Sequence, residues 1–514
     1  MKFSTAYALL QARKKRRRDE MDDDDRLFSN TLQQMQQRKR HCANWNDRNG
    51  QSGSLPTTSS QTSAKSGMMY VIDRESGKLR HGIPHDSLWW VNYVLTPPGD
   101  LTQRQRFKFR RRFRMPIDEW IIFVEKLNSN PLFKPWKIGN TDVCGRQCSP
   151  IALLSLGALK YLGRKCTFDD LEESTFISER THERFFEKFV EFGSTSLFHE
   201  YVIMPRTVEE MESHMHEMKL AGMDGGGAST DATNVTIENC RYGSRQPHLG
   251  PKGSKTSRTY NASVTHRHRI LNTTAGHPSR WNDKTLILFD DFATGLKDGS
   301  LLGDYEFFLY ERDVNGDIQK FLYHGIWLLV DNGYLDWSVT IPPYKYCTRL
   351  SEIRWSQWLE SMRKDVECTF GILKKRWTIL SKGVQARKLE CADQVWKTCC
   401  ALHNMLLEID GFDEMWQGSI PNTAHGEGNT CFALQRLNSP DLESFTVFRP
   451  TEGLLPSSGP VVELPTLVNN LSAPRIVRNM GQDEFRQKLV EHFDILFWQN
   501  KIVWPKRVKT PRSV

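Results

Sequence analysis

The chain has 514 residues, which is too long for one ordinary core and enough for two or three domains with tails. Its hydrophobic content of 38% supports globular cores, and its net charge of +9 favours a polyanionic partner such as nucleic acid. No run approaches the ~20 apolar residues of a membrane span and no secretory segment opens the chain, so we expect a soluble intracellular protein.

Residues 1–68 are polar and compositionally biased, which predicts a disordered tail because too little apolar surface is available for a core. Six consecutive basic residues in this tail resemble a nuclear-import signal, and a solvated run without a partner is the alternative. We therefore expect the protein in the nucleus. The six residues are Arg13, Lys14, Lys15, Arg16, Arg17 and Arg18.

Residues 69–215 are predicted to be helical and are a candidate surface for DNA or for a second copy of the chain. Phe109 and Phe113 lie four residues apart and share one helical face within a strongly basic stretch. The arginines around them favour phosphate binding, whereas the phenylalanines equally favour packing of a basic helix onto its own domain. We leave both interpretations open.

Three further helices are predicted in this region, the first from Pro150 to Gly163, the second starting near Thr167 and the third from Ser178 to Phe189. Their order suggests a helix-turn-helix. The third helix carries several glutamates that would face phosphate, so packing or dimer contacts are a better interpretation than base readout. These glutamates are Glu179, Glu183 and Glu187.

Residues 216–410 change to a Gly-rich and β-rich pattern followed by helices. The apolar runs predict strands, and the later periodic segments predict helices at residues 355–380 and 390–409. Strands followed by helices indicate a mixed α/β sheet that helices cover. The predicted strands are residues 260–265, 269–271, 285–289 and 326–330.

Residues 411–514 are predicted to form a linker to about residue 475, a short helix from Glu484 to Trp498 and a basic tail. Cysteines are scattered over the chain without paired spacing, which predicts reduced thiols. Cys144 with Cys148, and Cys399 with Cys400 and His403, each offer half a zinc site, but buried thiols fit their spacing better.

Three acidic residues are the candidate catalytic group. Asp231 and Asp331 adjoin strand-like runs, and Glu367 lies on a helix whose apolar stripe includes Val366 and Phe370. Two strand carboxylates and one helix carboxylate that converge could hold two hard metal ions, because Mg²⁺ prefers oxygen ligands. Taken singly, each acid has a plainer role: Arg363 at i−4 offers Glu367 an ion pair, Asp331 suits a turn, and Asp231 suits a cap.

Several blocks of the sequence, spread over about residues 85–410, resemble the PIF/Harbinger-type DDE transposases, which are DDE superfamily endonucleases, and their domesticated relatives. Residues 109–115 resemble the helix ahead of that family's catalytic core, and residues 401–406 resemble its closing helix. The five blocks that carry most of the resemblance are Gly227–Asn234, Tyr260–His266, Trp281–Thr285, Asp331–Tyr334 and Arg363–Trp377.

The resemblance implies an RNase H-like core in which Asp231, Asp331 and Glu367 are both the catalytic triad and the ligands of Mg²⁺ or Mn²⁺, with two ions expected. Asp224 is a rival for the first position, and the role of Asp283 stays open. Asp365 lies about 200° around the helix from Glu367 and cannot share its site. Asp290 and Asp291 are interpreted as bystanders.

The implied activity is cleavage of double-stranded DNA at transposon ends followed by strand transfer into target DNA. A domesticated nuclear DNA-binding or scaffold protein without catalysis is the alternative. A Myb/SANT-like DNA-binding protein and a second copy of the chain are the expected partners. The candidate DNA contacts are Arg104, Arg106, Lys108, Arg110, Arg111, Arg112, Arg114, Lys374, Lys375 and Arg376.

Overall fold

A computed structural model describes residues 70–72, 79–141, 147–250, 255–386, 388–419, 464–466, 473–499 and 501–506. The basic run at residues 13–18 lies outside these ranges. The chain divides into two compact units, Met1–His81 and Gly82–Val514. In the first unit, β1 (Tyr70–Ile72) pairs antiparallel with β2 (Leu79–His81). The domain boundaries predicted at residues 215 and 410 stay predictions.

The second unit begins with the predicted helical region, which starts after the β1–β2 pair and not at residue 69 as predicted. Its first α-helix, α1 (Gln103–Phe113), is capped by Thr102, whose hydroxyl accepts a hydrogen bond from the Gln105 backbone N–H, and the Gln105 side-chain oxygen accepts one from the Thr102 backbone N–H. This reciprocal cap satisfies donors that a helix start leaves free. The helices that follow are α2 (Ile117–Ser129), α3 (Ile151–Arg164), α4 (Phe168–Thr175), α5 (Glu179–Phe192), α6 (Phe198–Tyr201) and α7 (Val208–Leu220).

Aromatic side chains hold this helical region together. Phe109 and Phe113 are fully buried, their ring centroids lie 4.8 Å apart, and Tyr93 and Trp120 pack edge-on or tilted around them. The basic helix is therefore anchored to its own domain by the apolar face that the spacing predicted. Likewise, α5 turns a row of phenylalanines into the interior, and these are Phe185, Phe189 and Phe192.

The remaining elements belong to the mixed α/β part of the chain. In chain order, the strands are β3 (Gly226–Glu238), β4 (Ser257–Val264), β5 (Ile270–Thr273), β6 (His277–Pro278), β7 (Glu306–Arg312), β8 (Ile318–His324), β9 (Trp327–Leu329), β10 (Thr340–Ile341), β11 (Val384–Gln385), β12 (Gln417–Ser419), β13 (Arg475–Ile476) and β14 (Trp504–Lys506). The helices are α8 (Tyr242–Arg245), α9 (Asp283–Leu286), α10 (Asp291–Asp298), α11 (Leu350–Arg376), α12 (Thr378–Lys382), α13 (Leu389–Ile409) and α14 (Gln482–Trp498).

The central sheet has the strand order β10-β9-β3-β4-β5, with β11 also paired to β3 and β6 to β4. Strands β9 and β3 run parallel and align Ser229 with Leu329, whereas β3 and β4 run antiparallel and align Asp231 with Ala262. Parallel and antiparallel pairs in one sheet, with helices around it, confirm the predicted mixed α/β class.

The long helix α11 is the wall shared by two apolar clusters. Its first half packs in the cluster with β9 and α14, and its second half packs in the cluster with the N-terminal helices and α13. The apolar stripe expected on this helix is buried as predicted. The buried side chains are Trp355, Leu359 and Met362 in the first half and Val366, Phe370 and Leu373 in the second, and Trp377 directly after the helix is buried as well.

The strand predicted at residues 285–289 is wrong, because this segment forms α9 and a 3-10 turn from Ile287 to Phe289. Asn282 explains the helix start, since its side-chain oxygen accepts a hydrogen bond from the Thr285 backbone at 3.0 Å. The next strands in the chain are β7 and β8, which form a hairpin that pairs Phe307 with Tyr323.

The C-terminal segment joins the hairpin rather than trailing from the core. Strand β13 adds to β8 in parallel, and α14 confirms the helix predicted from Glu484 to Trp498. Most of the predicted linker lies outside the described residues, although part of it forms β12, which pairs with β14. Among the described helices, none combines the length and apolar character of a membrane span.

Candidate carboxylate active site

Asp231 and Asp331 follow the aligned pair of Ser229 and Leu329 on two neighbouring parallel strands, each two residues further along. Local hydrogen bonds orient both carboxylates. Asp231 Oδ1 accepts from the Ala232 backbone at 2.7 Å, and Asp331 Oδ1 accepts from the Gly333 backbone at 2.7 Å. The sheet therefore brings together two acids that are 100 positions apart in the chain.

Helix α11 lies against the face of β3 that carries Asp231. Ser229 has the same orientation as Asp231, because alternate strand residues share a face, and its hydroxyl donates to the Met362 carbonyl on α11 at 3.2 Å. Glu367 lies just over one turn beyond Met362 and is half exposed. The third candidate acid is thus placed on the helix that covers the other two.

Arg363 lies between the helix acid and the first strand acid. Its Nη1 atom is 3.0 Å from Glu367 Oε1 and 4.0 Å from Asp231 Oδ2, and its Nη2 atom is 3.0 Å from Glu360 Oε2. The ion pair expected from the i−4 spacing is present. It also shows that Glu367 and Asp231 are close enough to share one cation.

Burial raises the pKa of Asp231 to about 6. The Ala232 N–H and the Arg363 guanidinium oppose this shift, whereas the charges of Asp331 and Glu367 add to it. The three candidate acids therefore act on one another electrostatically. Ionisation of a buried carboxyl group beside two other carboxylates costs free energy, and a nearby cation offsets that cost.

Asp283 is a fourth carboxylate at the site. A Cβ atom added at Gly333 would lie 2.8 Å from Asp283 Oδ2 and 2.9 Å from Asp331 Oδ1, so both side chains face the same glycine. Burial raises the pKa of Asp283, and the charge of Asp331 raises it further. The sequence left the role of Asp283 open, and the structure places it beside Asp331.

The donor set fits a hard divalent ion, because carboxylate oxygens are the ligands that Mg²⁺ prefers and several of these are partly buried. Asp231, Asp331 and Glu367 would hold it, with Asp283 next to Asp331. As the side chains stand, no group of three His, Cys, Asp or Glu residues within the described ranges is close enough to hold an ion. Glu367 is instead paired with the Arg363 guanidinium.

The other acids that the sequence raised are engaged elsewhere. Asp224 accepts from His492 Nε2 at 2.9 Å, and Asp365 is fully buried against His266 Nδ1 at 2.7 Å. Burial raises the pKa of Asp365 well above its ordinary value. Asp290 caps α10 by accepting from the Phe292 and Ala293 backbones. None of these three contacts involves Asp231, Asp331 or Glu367.

A buried hydrogen-bond chain supports the loop after Asp331, and sequence reasoning missed it. The Tyr334 hydroxyl donates to Asn261 Oδ1 at 2.7 Å, and Asn261 Nδ2 donates to Asp290 at 2.6 Å. Asn272 donates to the other oxygen of Asp290. Asn261 and Tyr334 both belong to blocks singled out in the sequence, so the blocks were the available signal.

The candidate DNA contacts on α1 divide into engaged and free side chains. Arg106 pairs with Asp118, Arg110 pairs with Asp410 at 2.6 Å, Arg112 donates to the Tyr93 hydroxyl, and Arg114 donates to the Gly163 carbonyl at 3.1 Å. The engaged residues hold the domain together. Those left exposed on α1 and not paired to another described residue are Arg104, Lys108 and Arg111.

The three basic residues at the end of α11 also differ from one another. Lys374 Nζ donates to Thr233 Oγ1 at 2.6 Å, two residues along β3 from Asp231. Lys375 is exposed, and Arg376 contacts His403. Burial lowers the pKa of Arg376 to about 10. Lys374 is thus held against the strand that carries Asp231.

The second half-zinc site has the character of buried thiols. Cys399 and Cys400 are fully buried, and burial raises the pKa of each thiol well above its ordinary value. His403 is hydrogen-bonded to the His268 carbonyl at 2.9 Å. Cys144 lies outside the described residues.

A cavity of about 440 Å³ lies beside Asp331. One wall is formed by the loop after β9, and the opposite wall is the start of α14 with Gln482 and Arg486. The C-terminal helix therefore borders the carboxylate site.

Part of the chain matches a known protein family. Residues 230–404 match the model of a family described as "DDE superfamily endonuclease", and this segment contains Asp231, Asp283, Asp331 and Glu367. No curated protein and no solved structure matches the chain. The match supports the DDE endonuclease superfamily for residues 230–404 without distinguishing one subgroup within it.

Proposed function

We propose that this chain is a metal-dependent DNA endonuclease of the transposase type, which cuts double-stranded DNA at transposon ends and transfers the freed strand into target DNA. The observation that carries this proposal is the placement of Asp231 on β3 and of Asp331 two residues after the end of the neighbouring β9, with Glu367 on the covering helix. The family match to a DDE endonuclease over the same residues supports it.

In this proposal Asp231, Asp331 and Glu367 are the catalytic residues and hold Mg²⁺ or Mn²⁺. Bound ions of this kind activate the attacking oxygen and stabilise the leaving oxygen of a phosphodiester. The chain itself contributes β3, which carries Asp231, and the Gly333 N–H, which orients Asp331 in the loop after β9. Arg363 stabilises the acids before ions bind, and its guanidinium is then free to face a phosphate.

The DNA is proposed to reach the site along the exposed cations of the chain. Arg104, Lys108, Arg111 and Lys375 are exposed, and each neutralised phosphate releases counterions. We further propose a PIF/Harbinger-type element, action in the nucleus as a homodimer or larger assembly, and assistance from a Myb/SANT-like partner. These proposals rest on the sequence blocks and on the basic run at residues 13–18.

The test is cleavage of DNA that carries the cognate terminal repeats, with Mg²⁺ or Mn²⁺ and with EDTA. Asp231→Asn, Asp331→Asn and Glu367→Gln should each abolish cleavage, and Asp224→Asn should preserve it because Asp224 binds His492 instead. Asp317→Asn is the matched control, since Asp317 is exposed on the turn between β7 and β8. Undiminished cleavage by the three site variants would contradict the assignment.

A domesticated DNA-binding or scaffold protein without catalysis is the second candidate. The observation that favours it is Arg363, whose guanidinium contacts Glu367 and Asp231 where a metal ion would otherwise balance their charge. The same assay separates the two functions. DNA binding by the wild-type protein with no cleavage in Mg²⁺ or Mn²⁺ would favour the second candidate.

A further inference from the structure

A cluster of three aromatic rings lies next to Asp283 in the fold. The ring centroids of His277 and Trp281 are 5.0 Å apart with an interplanar angle of 20°, and those of Trp281 and Phe289 are 5.1 Å apart with an angle of 26°. His277 and Phe289 are 4.9 Å apart. Trp281 directly precedes Asn282, which caps the helix that begins at Asp283.

This cluster is only partly covered by the protein. Phe289 is 50% exposed, the adjacent Leu288 is 53% exposed, and Trp281 is partly exposed. Aromatic and aliphatic surface that is left contiguous in solvent marks a binding surface more often than isolated exposed side chains do. A partner with a flat apolar face would fit these exposed rings.

The charges around the cluster identify the chemistry of that partner. Arg280 and Lys284 flank the segment that carries Trp281, and both are exposed and unpaired within the described part of the chain. Cations beside aromatic rings suit nucleic acid, because the cations attract phosphates while the rings stack on bases. A base within an intact duplex has both faces covered, so only an unstacked base can use such a surface.

We propose that Trp281 and Phe289 form a platform on which an unpaired base of the DNA strand stacks beside the carboxylate site. The platform holds the strand on the Asp283 side, where the carboxylate of Asp283 faces Gly333 together with Asp331. Arg280 and Lys284 neutralise the phosphates on either side of the stacked base. This inference rests on the proposed function, because it takes DNA as the substrate.

The experiment compares two fluorescently labelled single-stranded oligonucleotides of one length, one with bases and one abasic throughout, bound in EDTA. The wild-type protein should bind the base-containing strand about ten-fold more tightly, as expected for one stacked base. Trp281→Ala and Phe289→Ala should each remove most of this preference and leave the affinity for the abasic strand unchanged. Trp281→Phe keeps a ring and should retain the preference.

Tyr242→Ala is the matched control, because Tyr242 is 88% exposed and lies on α8, outside the cluster. Its preference for bases should equal that of the wild type. Phe289 is already half exposed, so Phe289→Ala keeps the test valid if Trp281→Ala unfolds. An unchanged preference in Phe289→Ala, with a melting temperature like that of the wild type, overturns the platform.

The binding assay contains no metal, so it separates this inference from the proposed function. If the protein never cleaves DNA but shows the ring-dependent preference for bases, the platform is supported and the proposed nuclease function is contradicted. Triad-dependent cleavage with equal affinity for both strands keeps the nuclease and overturns the platform. Self-association that Phe289→Ala abolishes, with no preference for bases in the wild type, would make the cluster a contact between copies and also overturns it.

Discussion

Arg363 forms an ion pair with Glu367 across one turn of α11, with 3.0 Å between Arg363 Nη1 and Glu367 Oε1. The same atom is 4.0 Å from Asp231 Oδ2, so a protein cation lies where two proposed metal ligands approach each other. Only 11% of the Arg363 side chain is exposed, which limits the screening of its charge by water. The arginine therefore balances the acids of a site that is otherwise strongly negative.

The first prediction is that Arg363→Ala lowers the free energy of unfolding in EDTA by about 1–2 kcal/mol, less than the full cost of breaking a buried pair because Glu367 is half exposed. Mg²⁺ should make this loss of unfolding free energy smaller, because the bound ion then balances the negative charge of the acids in place of Arg363. Thermal unfolding over a Mg²⁺ series checks this. Arg349→Ala removes a 68% exposed arginine that pairs with Glu352 at the start of the same helix and should have little effect at any Mg²⁺ concentration. An equal loss for Arg363→Ala at all concentrations contradicts the argument.

The second prediction concerns Asp231. Burial raises the pKa of its carboxyl group from 3.8 to about 6. The folded state then binds the proton more tightly than the unfolded state, so this group makes stability fall as pH rises from about 4 to about 6. At pH 7.5 in EDTA, Asp231→Asn should raise the free energy of unfolding by about 1–3 kcal/mol. Urea unfolding at pH 3.5 and pH 7.5 measures the difference, which should be small at the lower pH.

In the presence of metal, the wild type should be more stable than Asp231→Asn, which is the reverse of the order expected in EDTA. Mg²⁺ or Mn²⁺ should raise the melting temperature of the wild type at pH 7.5, because binding to the folded state stabilises it. Asp231→Asn should lose most of that increase, whereas Asp317→Asn, which changes an exposed turn, should keep it. A variant that gains stability at both pH values to the same extent would show that ionisation of Asp231 is not the cause.

The sequence predicted the helices well, since apolar spacing at Phe109 and Phe113 or at Val366 and Phe370 reports directly which face is buried. The strand prediction failed at residues 285–289. An apolar run with β propensity follows Asn282 there, but the cap formed by the Asn282 side chain favours a helix. Local pattern could not show that Asp283 would face Asp331, because that contact depends on how the start of α9 meets the loop after β9 in the fold.

The third prediction uses the close approach at Gly333. A Cβ atom there would lie 2.8 Å from Asp283 Oδ2 and 2.9 Å from Asp331 Oδ1, so Gly333→Ala must displace one or both carboxylates. A displacement of about 1 Å at a catalytic group lowers the rate about 100-fold, and we expect a loss of that order in cleavage.

The control for Gly333→Ala is Gly371→Ala. A Cβ atom at Gly371 meets no atom within 4 Å, and the residue lies on the exposed side of α11. This substitution should leave cleavage unchanged and stabilise the helix by up to about 1 kcal/mol. Steady-state cleavage rates and melting temperatures of both variants check the pair. Wild-type cleavage by Gly333→Ala would show that the two carboxylates need not hold their present positions.

The fourth prediction concerns Glu311, which attaches the C-terminal segment to the β7–β8 hairpin. Glu311 is 2% exposed, accepts hydrogen bonds from Lys488 and from the Tyr323 hydroxyl at 2.6 Å each, and pairs with Arg475. Burial alone would raise the pKa of Glu311, but the hydrogen bonds from Arg475, Lys488 and Tyr323 outweigh burial and lower it.

Because the folded-state pKa of Glu311 is lowered, its stabilisation is complete above the ordinary value of 4.5 and is lost as pH falls below it. Glu311→Gln leaves two cations beside a buried neutral group and should cost about 3 kcal/mol at pH 7, with less of a difference from wild type at pH 3. Glu306→Gln on the same strand changes a 61% exposed side chain and should cost little. Urea unfolding at both pH values measures these costs.

Since α14 also borders the cavity beside Asp331, Glu311→Gln should weaken DNA cleavage as well, and Glu306→Gln should not. Loss of stability without loss of cleavage would show that the C-terminal helix supports the fold and does not shape the site.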